Sequence, residues 1–492
     1  MASLNEILAL CRSGKAQEAY DLSSIDFAEQ RPWAQLEMGW ALYYLMKDDT
    51  NVHSYQYFIS HLNDFCSLDQ LNPTGDKVIF ENMLKIVAKF VKENISPTGI
   101  DSPDKLSSIF INLRRFNFDS SKAYSLLLNS VIKCASWQEM ADFIDWWNLE
   151  KLSSDDYIPY RMDNGKTIMS VAEQAFIAKS KALLRLNDHR RITDFLPQLD
   201  SLIEKHREMT YPGYFYGKLL LALGSTEEDA LNAIIPFARK KSTEFWVWQL
   251  LSDVFVNEHE KQLACLIRSV NCRTQEKFLG RVRIKLSMIY IQHNQFDCAK
   301  YHINKVTKCY LSHGWYLPYE VECWIHQPWF EQVTANEAAP INYMSITDRI
   351  LCEGSEEAVA IVTGFDPNSQ RVNLVYGYKK RTSQKLRINV VLGVALRIFY
   401  LTEQDGKIRI LSSTQISYQD NLEYAKIVEG LVRKRTDKDF AFLQSSNDDF
   451  YISPKVVRMN NLQDGMTVKT LIVYDYNKKK EEWSWSCISI LK

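Results

Sequence analysis

Along roughly the first 330 residues, apolar side chains recur at three- and four-residue spacing. Examples are Leu4-Ile7-Leu8-Cys11, Leu36-Trp40-Tyr43-Tyr44 and Leu219-Leu220-Leu223. That period places them on one face of an α-helix. The breaks are turn-forming clusters: Asp48-Asp49-Thr50-Asn51, Pro73-Thr74-Gly75-Asp76, Ser96-Pro97-Thr98-Gly99 and Tyr211-Pro212-Gly213. Helix pairs joined by short polar breaks predict a stacked solenoid. Within it, Asp155 to Lys166, stiffened by Pro159, predicts an extended loop. Its turn falls at Asp163-Asn164-Gly165, and a helix runs from Thr167 onward.

From about Pro328 to Pro340 the helical period lapses, and after Gly354 an alternation of period two takes over. A first set of strands is predicted at 358–365, 371–378, 388–401 and 407–412, with turns at Asp366-Pro367-Asn368-Ser369 and Asp405-Gly406. A second set follows at 427–435, 440–444, 449–453, 466–476 and 481–491. Five short strands in about 65–70 residues is the size of an OB-type barrel. The chain therefore divides into a helical domain (1–330), a linker or cap (331–353) and two small β-barrels (354–417 and 424–492). The fold class is multidomain α + β.

Composition narrows the function classes. The formal net charge is −1, and hydrophobic residues make up 46% of the 492, as in ordinary globular domains. The first residues lack the basic start and apolar run of a signal peptide, and no segment approaches the ~20 apolar residues of a membrane span. A cytoplasmic protein is expected. The ten cysteines contain no CxxC pair, so reduced thiols are expected in place of a disulfide framework or a zinc site. Charge is uneven: residues 354–492 hold 21 Lys and Arg against 16 Asp and Glu. That excess fits a polyanionic partner for the tail.

A repeat register sharpens the helical half. Three triplets share one spacing: Tyr214/Lys218/Ala230, Trp248/Ser252/Ala264 and Arg283/Ser287/Ala299. The alanines recur at the ~34-residue period of tetratricopeptide repeats, which this region resembles. Residues 60–200 do not phase. A repeat solenoid of this kind implies a concave surface for a protein partner.

The last 65 or so residues resemble a cold-shock domain. The segments that carry the likeness are Lys438-Asp439-Phe440-Ala441-Phe442-Leu443, Asp449-Phe450-Tyr451-Ile452-Ser453 and Leu462-Gln463-Asp464-Gly465-Met466-Thr467-Val468. The resemblance implies an OB barrel whose flat side chains stack on unpaired bases while nearby cations neutralise phosphates. The residues in those roles are Phe440, Phe442 and Tyr451, with Arg433, Lys434, Lys438 and Lys455 as phosphate contacts. The sequence departs from the family at five places. Charged Arg433-Lys434-Arg435 replace the first-strand aromatic, Ser453 replaces the histidine, Pro454 the next aromatic, and Asp439 and Ala441 the glycines flanking the first motif. On the competing reading, the three rings only cover the barrel or dock on the helices. The whole architecture resembles bacterial repeat proteins, some of which accompany mobile-element conflict or antiviral defence components.

Other candidates read as structure. Tyr474, Tyr476, Trp483 and Trp485, with Lys478-Lys479-Lys480 at the turn, fit a cross-strand aromatic ladder, or an extension of the stacking surface. Lys379-Lys380-Arg381, Lys385 and Arg387 fit either a phosphate grip or a solvated strand edge. Trp315, Trp324 and Trp329 fit a lock between helices and tail. Cys298 and His302 lie one helical turn apart without further ligands, and Gly165-Lys166-Thr167 lacks the earlier glycine of a phosphate loop. No HExxH, GxSxG or GxGxxG pattern occurs. The expectation is a non-enzymatic adaptor without cofactor or metal. It would hold a protein partner through its helices and single-stranded RNA or DNA through its last barrel. The alternative is a scaffold that binds only protein, with both barrels as docking modules.

Overall fold

The computed structural model describes residues 3–31, 33–95, 103–337, 341–386, 391–403, 405–418, 422–445, 448–477 and 481–491. Two compact units form, residues 1–241 with 250–256, and residues 242–249 with 257–492.

The first unit is built of helices from Leu4–Arg12 to Glu227–Lys240. Side-chain caps begin several of them. Ser3 and Glu6 form a reciprocal capping box, and Ser121, Ser170, Asp188 and Thr226 each accept a first-turn N–H. Neighbouring helices pack in sequence, Ala16–Ala28 on Ala34–Asn51 and Pro212–Ala222 on Glu227–Lys240. Between residues 58 and 200 the core is aromatic. Phe58 stacks on Phe90 at 3.8 Å, Tyr124 on Trp147 at 4.2 Å, and Phe110 lies against Trp137 and Phe143.

Two sequence expectations shift here. The extended segment at 155–166 turns at Asp163-Asn164-Gly165 as expected, but it is a short hairpin, β1 (Tyr160–Arg161) with β2 (Thr167–Ile168), preceded by a 3-10 turn at Ser154–Tyr157. Gly165 serves the turn at φ +78°. The following helix starts at Val171, later than Thr167, because Ser170 caps it by accepting from Glu173 N at 3.1 Å. Thr167 is held in the hairpin.

In the second unit, Gly280–Gln292 packs on Phe296–Ser312. Ala264 and Ala299 are fully buried, and Ser287 Oγ reaches Ala299 O at 3.5 Å. Arg283 is buried as well. It pairs with Glu276 and donates to His302 Nδ1 at 2.9 Å. Burial and that guanidinium lower the His302 pKa to about 3, so the imidazole is neutral and accepts. The segment expected as linker carries the helix Tyr343–Leu351, which Arg268 ties down through Thr347 Oγ1 and Asp348 Oδ1, both at 3.0 Å. Trp329 stacks on Phe296 at 4.9 Å and Trp315 meets Tyr310 edge-on at 5.4 Å, so these tryptophans pack on the helix Phe296–Ser312.

Ten strands follow. The first five are β3 (Glu356–Asp366), β4 (Arg371–Gly377), β5 (Lys380–Gln384), β6 (Ala395–Thr402) and β7 (Ile408–Ile416), ordered β5-β4-β3-β6-β7. The second five are β8 (Ala425–Arg433), β9 (Ala441–Gln444), β10 (Asp449–Ile452), β11 (Thr467–Asn477) and β12 (Glu482–Leu491), closed as β10-β12-β11-β8-β9. Numbered within each set, both follow 3-2-1-4-5. This is the strand arrangement of the partly open Greek-key OB barrel. In the second set the third and fifth strands close the ring in parallel, Tyr451 opposite Ser486. In the first set the same seam is spanned by one side chain: Gln384 Nε2 donates to Ile408 O at 2.5 Å, and Gln384 Oε1 accepts from Ile410 N at 3.1 Å. The expected pair of barrels is thus one closed barrel and one sheet bridged through an amide.

Each has its own core, Leu374, Leu396 and Ile398 in the first, Val432, Leu443, Ile452 and Ile472 in the second. A third cluster joins them. Ile361, Val375 and Ala395 pack on Tyr424, Leu471, Val473 and Ile488, and the Tyr424 hydroxyl donates to Val359 O. Gly393, at φ +82°, lies so close to Ser489 that an added Cβ would stand 2.1 Å from its hydroxyl oxygen.

Candidate nucleic-acid interface

Strand alternation in the closed barrel sends Val432, Ala441, Leu443, Phe450 and Ile452 inward. The residues between them face out. Register then aligns three of the predicted residues in one row: Arg433 on β8 pairs with Phe442 on β9, and Phe442 with Tyr451 on β10. Phe440, just before β9, closes the group. Its ring lies 5.8 Å from Phe442 and 5.6 Å from Tyr451, and Phe442 and Tyr451 are 6.0 Å apart. Phe442 is 40% exposed. The face formed by the second and third strands of an OB barrel is the one that binds oligonucleotides and oligosaccharides in proteins of that fold.

The cations are spread around this face. Arg433 is exposed and donates from Nε to Gln444 Oε1 at 2.9 Å, which holds the guanidinium at the edge of the row. Lys434 begins the loop to β9, and its backbone N–H donates to Asp464 Oδ1 at 2.8 Å. Lys438, farther along that loop, pairs with Asp437 at 3.7 Å. Lys455 stands apart on the short helix Pro454–Met459. The row and its loop thus gather Arg433, Lys434, Lys438, Phe440, Phe442 and Tyr451, while Lys455 sits on another element.

Local chemistry accounts for several of the family departures. Ser453, at the histidine position, is the N-cap of the short helix and accepts from Val456 N at 3.4 Å, with Pro454 at the first helical position. The Leu462–Val468 motif is a clamp on β8. Gly465, at φ +80°, donates to Val432 O at 2.9 Å, and Val432 N donates to Met466 O at 2.7 Å. Gly430 is needed for strand approach, since a Cβ there would stand 2.5 Å from Gln444 O.

Sequence reasoning missed Lys426. It is exposed at the start of β8, in the alternation of Val428 and Val432, and its ammonium sits 4.8 Å over Trp485 and 5.7 Å over Phe450. A lone lysine among alternating apolar residues at 425–432 was the available signal. Lys380 and Arg381 lie in β5, a strand the sequence pattern did not show, and Arg387 and Lys478 to Lys480 fall outside the described residues. No group of three or more metal-binding side chains gathers among the described residues. No helix among them is long and apolar enough to cross a membrane.

Comparison with known families agrees with this geometry over part of the chain. Residues 426–490 match a family described as S1/CSD-like domain 2 of the TOTE conflict systems. Residues 210–349 match one described as a domain of unknown function (DUF7017). No curated protein and no solved structure matches the chain. The C-terminal barrel is therefore S1/CSD-like in sequence as well as in strand order.

Proposed function

We propose that the protein is a non-enzymatic adaptor that binds single-stranded nucleic acid through its C-terminal barrel. The observation that carries this reading is the row Arg433–Phe442–Tyr451 with Phe440 beside it, on the outer face of the second and third strands. Flat rings on that face accept unpaired bases of any sequence, and the flanking cations meet the backbone. The match to a domain of the TOTE conflict systems supports a role in such a system; antiviral defence is part of the same proposal. The helical region, with its tetratricopeptide-like spacing, would hold a protein partner. The division into domains at 1–330, 354–417 and 424–492 belongs to the same reading, as does a cytoplasmic location.

A second reading is favoured by the apolar cluster that joins the two barrels. On it the barrels are docking modules and the protein is a scaffold for other proteins alone. Electrophoretic retardation of single-stranded RNA and DNA by the full chain separates the two. The adaptor retards them, and Arg433→Glu or Tyr451→Ala weakens the effect. A wild-type chain that retards neither leaves the scaffold.

A further inference from the structure

A second aromatic surface lies where the two barrels meet. β11 and β12 pair Tyr474 with Trp485 and Tyr476 with Trp483, so four rings share one face of that hairpin. Tyr474 is 5.4 Å from Trp485 and 6.0 Å from Trp483, and Tyr476 is 5.7 Å from Trp483. The strip continues into the first barrel. Tyr378 stacks on Tyr474 with ring centroids 5.1 Å apart and planes 3° from parallel.

Tyr378 stands in the tight turn between β4 and β5, where Lys379 is held at φ +56°. A residue with a Cβ pays for that conformation in strain, and such positions cluster at ligand clamps. Arg381 locks the turn to the other barrel by donating to Tyr476 O at 3.0 Å and pairing with Asp475 at 3.6 Å. Tyr378 nevertheless remains 46% exposed. Cations line the strip: Lys379 lies 5.5 Å over Tyr378, Lys426 4.8 Å over Trp485, and Arg381 6.0 Å over Tyr476. A ladder that only stabilises its own sheet needs paired rings across the strands. It does not need a half-exposed ring delivered by a neighbouring barrel on a strained turn, nor three cations beside it.

We infer that Tyr378, Tyr474, Trp483 and Trp485, with Lys379 and Lys426, form a second stacking site for single-stranded nucleic acid, built jointly by the closed barrel and the bridged sheet. The inference rests on the nucleic-acid reading above but uses none of the platform residues. Both faces then belong to one binding module, and the first barrel acquires a task.

The test is photo-crosslinking of 5-iodouridine-substituted RNA and DNA of about 12 nucleotides, within the length an OB barrel covers, to the full chain. Peptide mapping accompanies affinities of wild type, Tyr378→Ala, Tyr378→Phe and Phe442→Ala/Tyr451→Ala. Crosslinks are expected at 378 and in 483–485, and they persist in the platform double variant. Tyr378→Ala weakens binding about 5- to 150-fold, the effect of one lost stacking contact, while Tyr378→Phe binds as wild type does. Unchanged binding by Tyr378→Ala, with crosslinks confined to 440–451, overturns the second site and leaves the platform standing. A wild-type chain that neither binds nor crosslinks overturns both.

Discussion

Gly430→Ala perturbs the pairing on which the stacking row depends. The added methyl would stand 2.5 Å from Gln444 O and 3.0 Å from Leu443 Cγ. The first of these is backbone, so no rotamer change relieves it, and β9 must move away from β8 by about 1 Å to restore van der Waals contact. Overpacking of this kind costs about 1–3 kcal/mol. The cost falls on the pairs Leu431 with Gln444 and Arg433 with Phe442, whose hydrogen bonds hold β9 in the ring. Hydrogen exchange followed by mass spectrometry on the full chain reads it directly. Amides in 441–444 should exchange about 5- to 150-fold faster, the factor equivalent to 1–3 kcal/mol of local opening. Exchange in the helix Gly280–Gln292 should not change. Gly406→Ala, at an exposed turn with φ +75° and open space around it, serves as a control that strains only its own turn. Unaltered protection at 441–444 in Gly430→Ala would refute the reasoning about strand approach.

Three further outcomes follow from other features. His302 is neutral and buried, with its pKa depressed to about 3 against an unfolded value near 6.5. The unfolded chain therefore binds a proton that the folded chain refuses. Stability conferred by this site is complete above about pH 6.5 and falls by up to about 1.4 kcal/mol per pH unit as the pH drops toward 3. His302→Gln should flatten that part of a denaturant-midpoint profile, and an unchanged slope would contradict it. Gln384→Ala should open the seam of the first barrel by removing both of its hydrogen bonds, accelerating exchange at 408–410 about five- to thirtyfold for 1–2 kcal/mol lost. Burial pushes the Cys66 and Cys487 thiols up to about 12. Both should resist iodoacetamide in the native state, while the half-exposed Cys272 and Cys323 react first in a timed alkylation.

Period and turn chemistry made much of this fold readable. The switch from a three-to-four period to a period of two after Gly354 located both β sets, and nine of the ten later strands among the described residues overlap a segment read from alternation. The tenth, Lys380–Gln384, was hidden because its sequence, KRTSQ, is polar: its edge faces an open seam that Gln384 bridges. Pro454–Met459 went unseen because six residues are too few to show a helical period. At the site, the rings were legible because residues two apart share a strand face. Their alignment with Arg433 was not, since cross-strand register is a property of the closed ring. The same holds for Tyr378 on Tyr474, two rings 96 positions apart in the chain, brought together by barrel docking. Lys426 was overlooked because a lysine amid apolar residues reads as merely solvated; it is exposed, but its ammonium lies over the Trp485 ring.

The most direct test of the account is fluorescence anisotropy of labelled single-stranded RNA and DNA with the full chain across a salt series, beside Phe442→Ala/Tyr451→Ala. Both rings face out of the barrel, so the double variant leaves the core intact. Salt-sensitive binding is expected, with a slope of log K against log salt near −3, the value for about four phosphate contacts. Loss of two stacking contacts should weaken the variant by about thirtyfold or more. Absence of binding at low salt, or a double variant that binds as tightly as wild type, would contradict the claim that this barrel is a stacking platform.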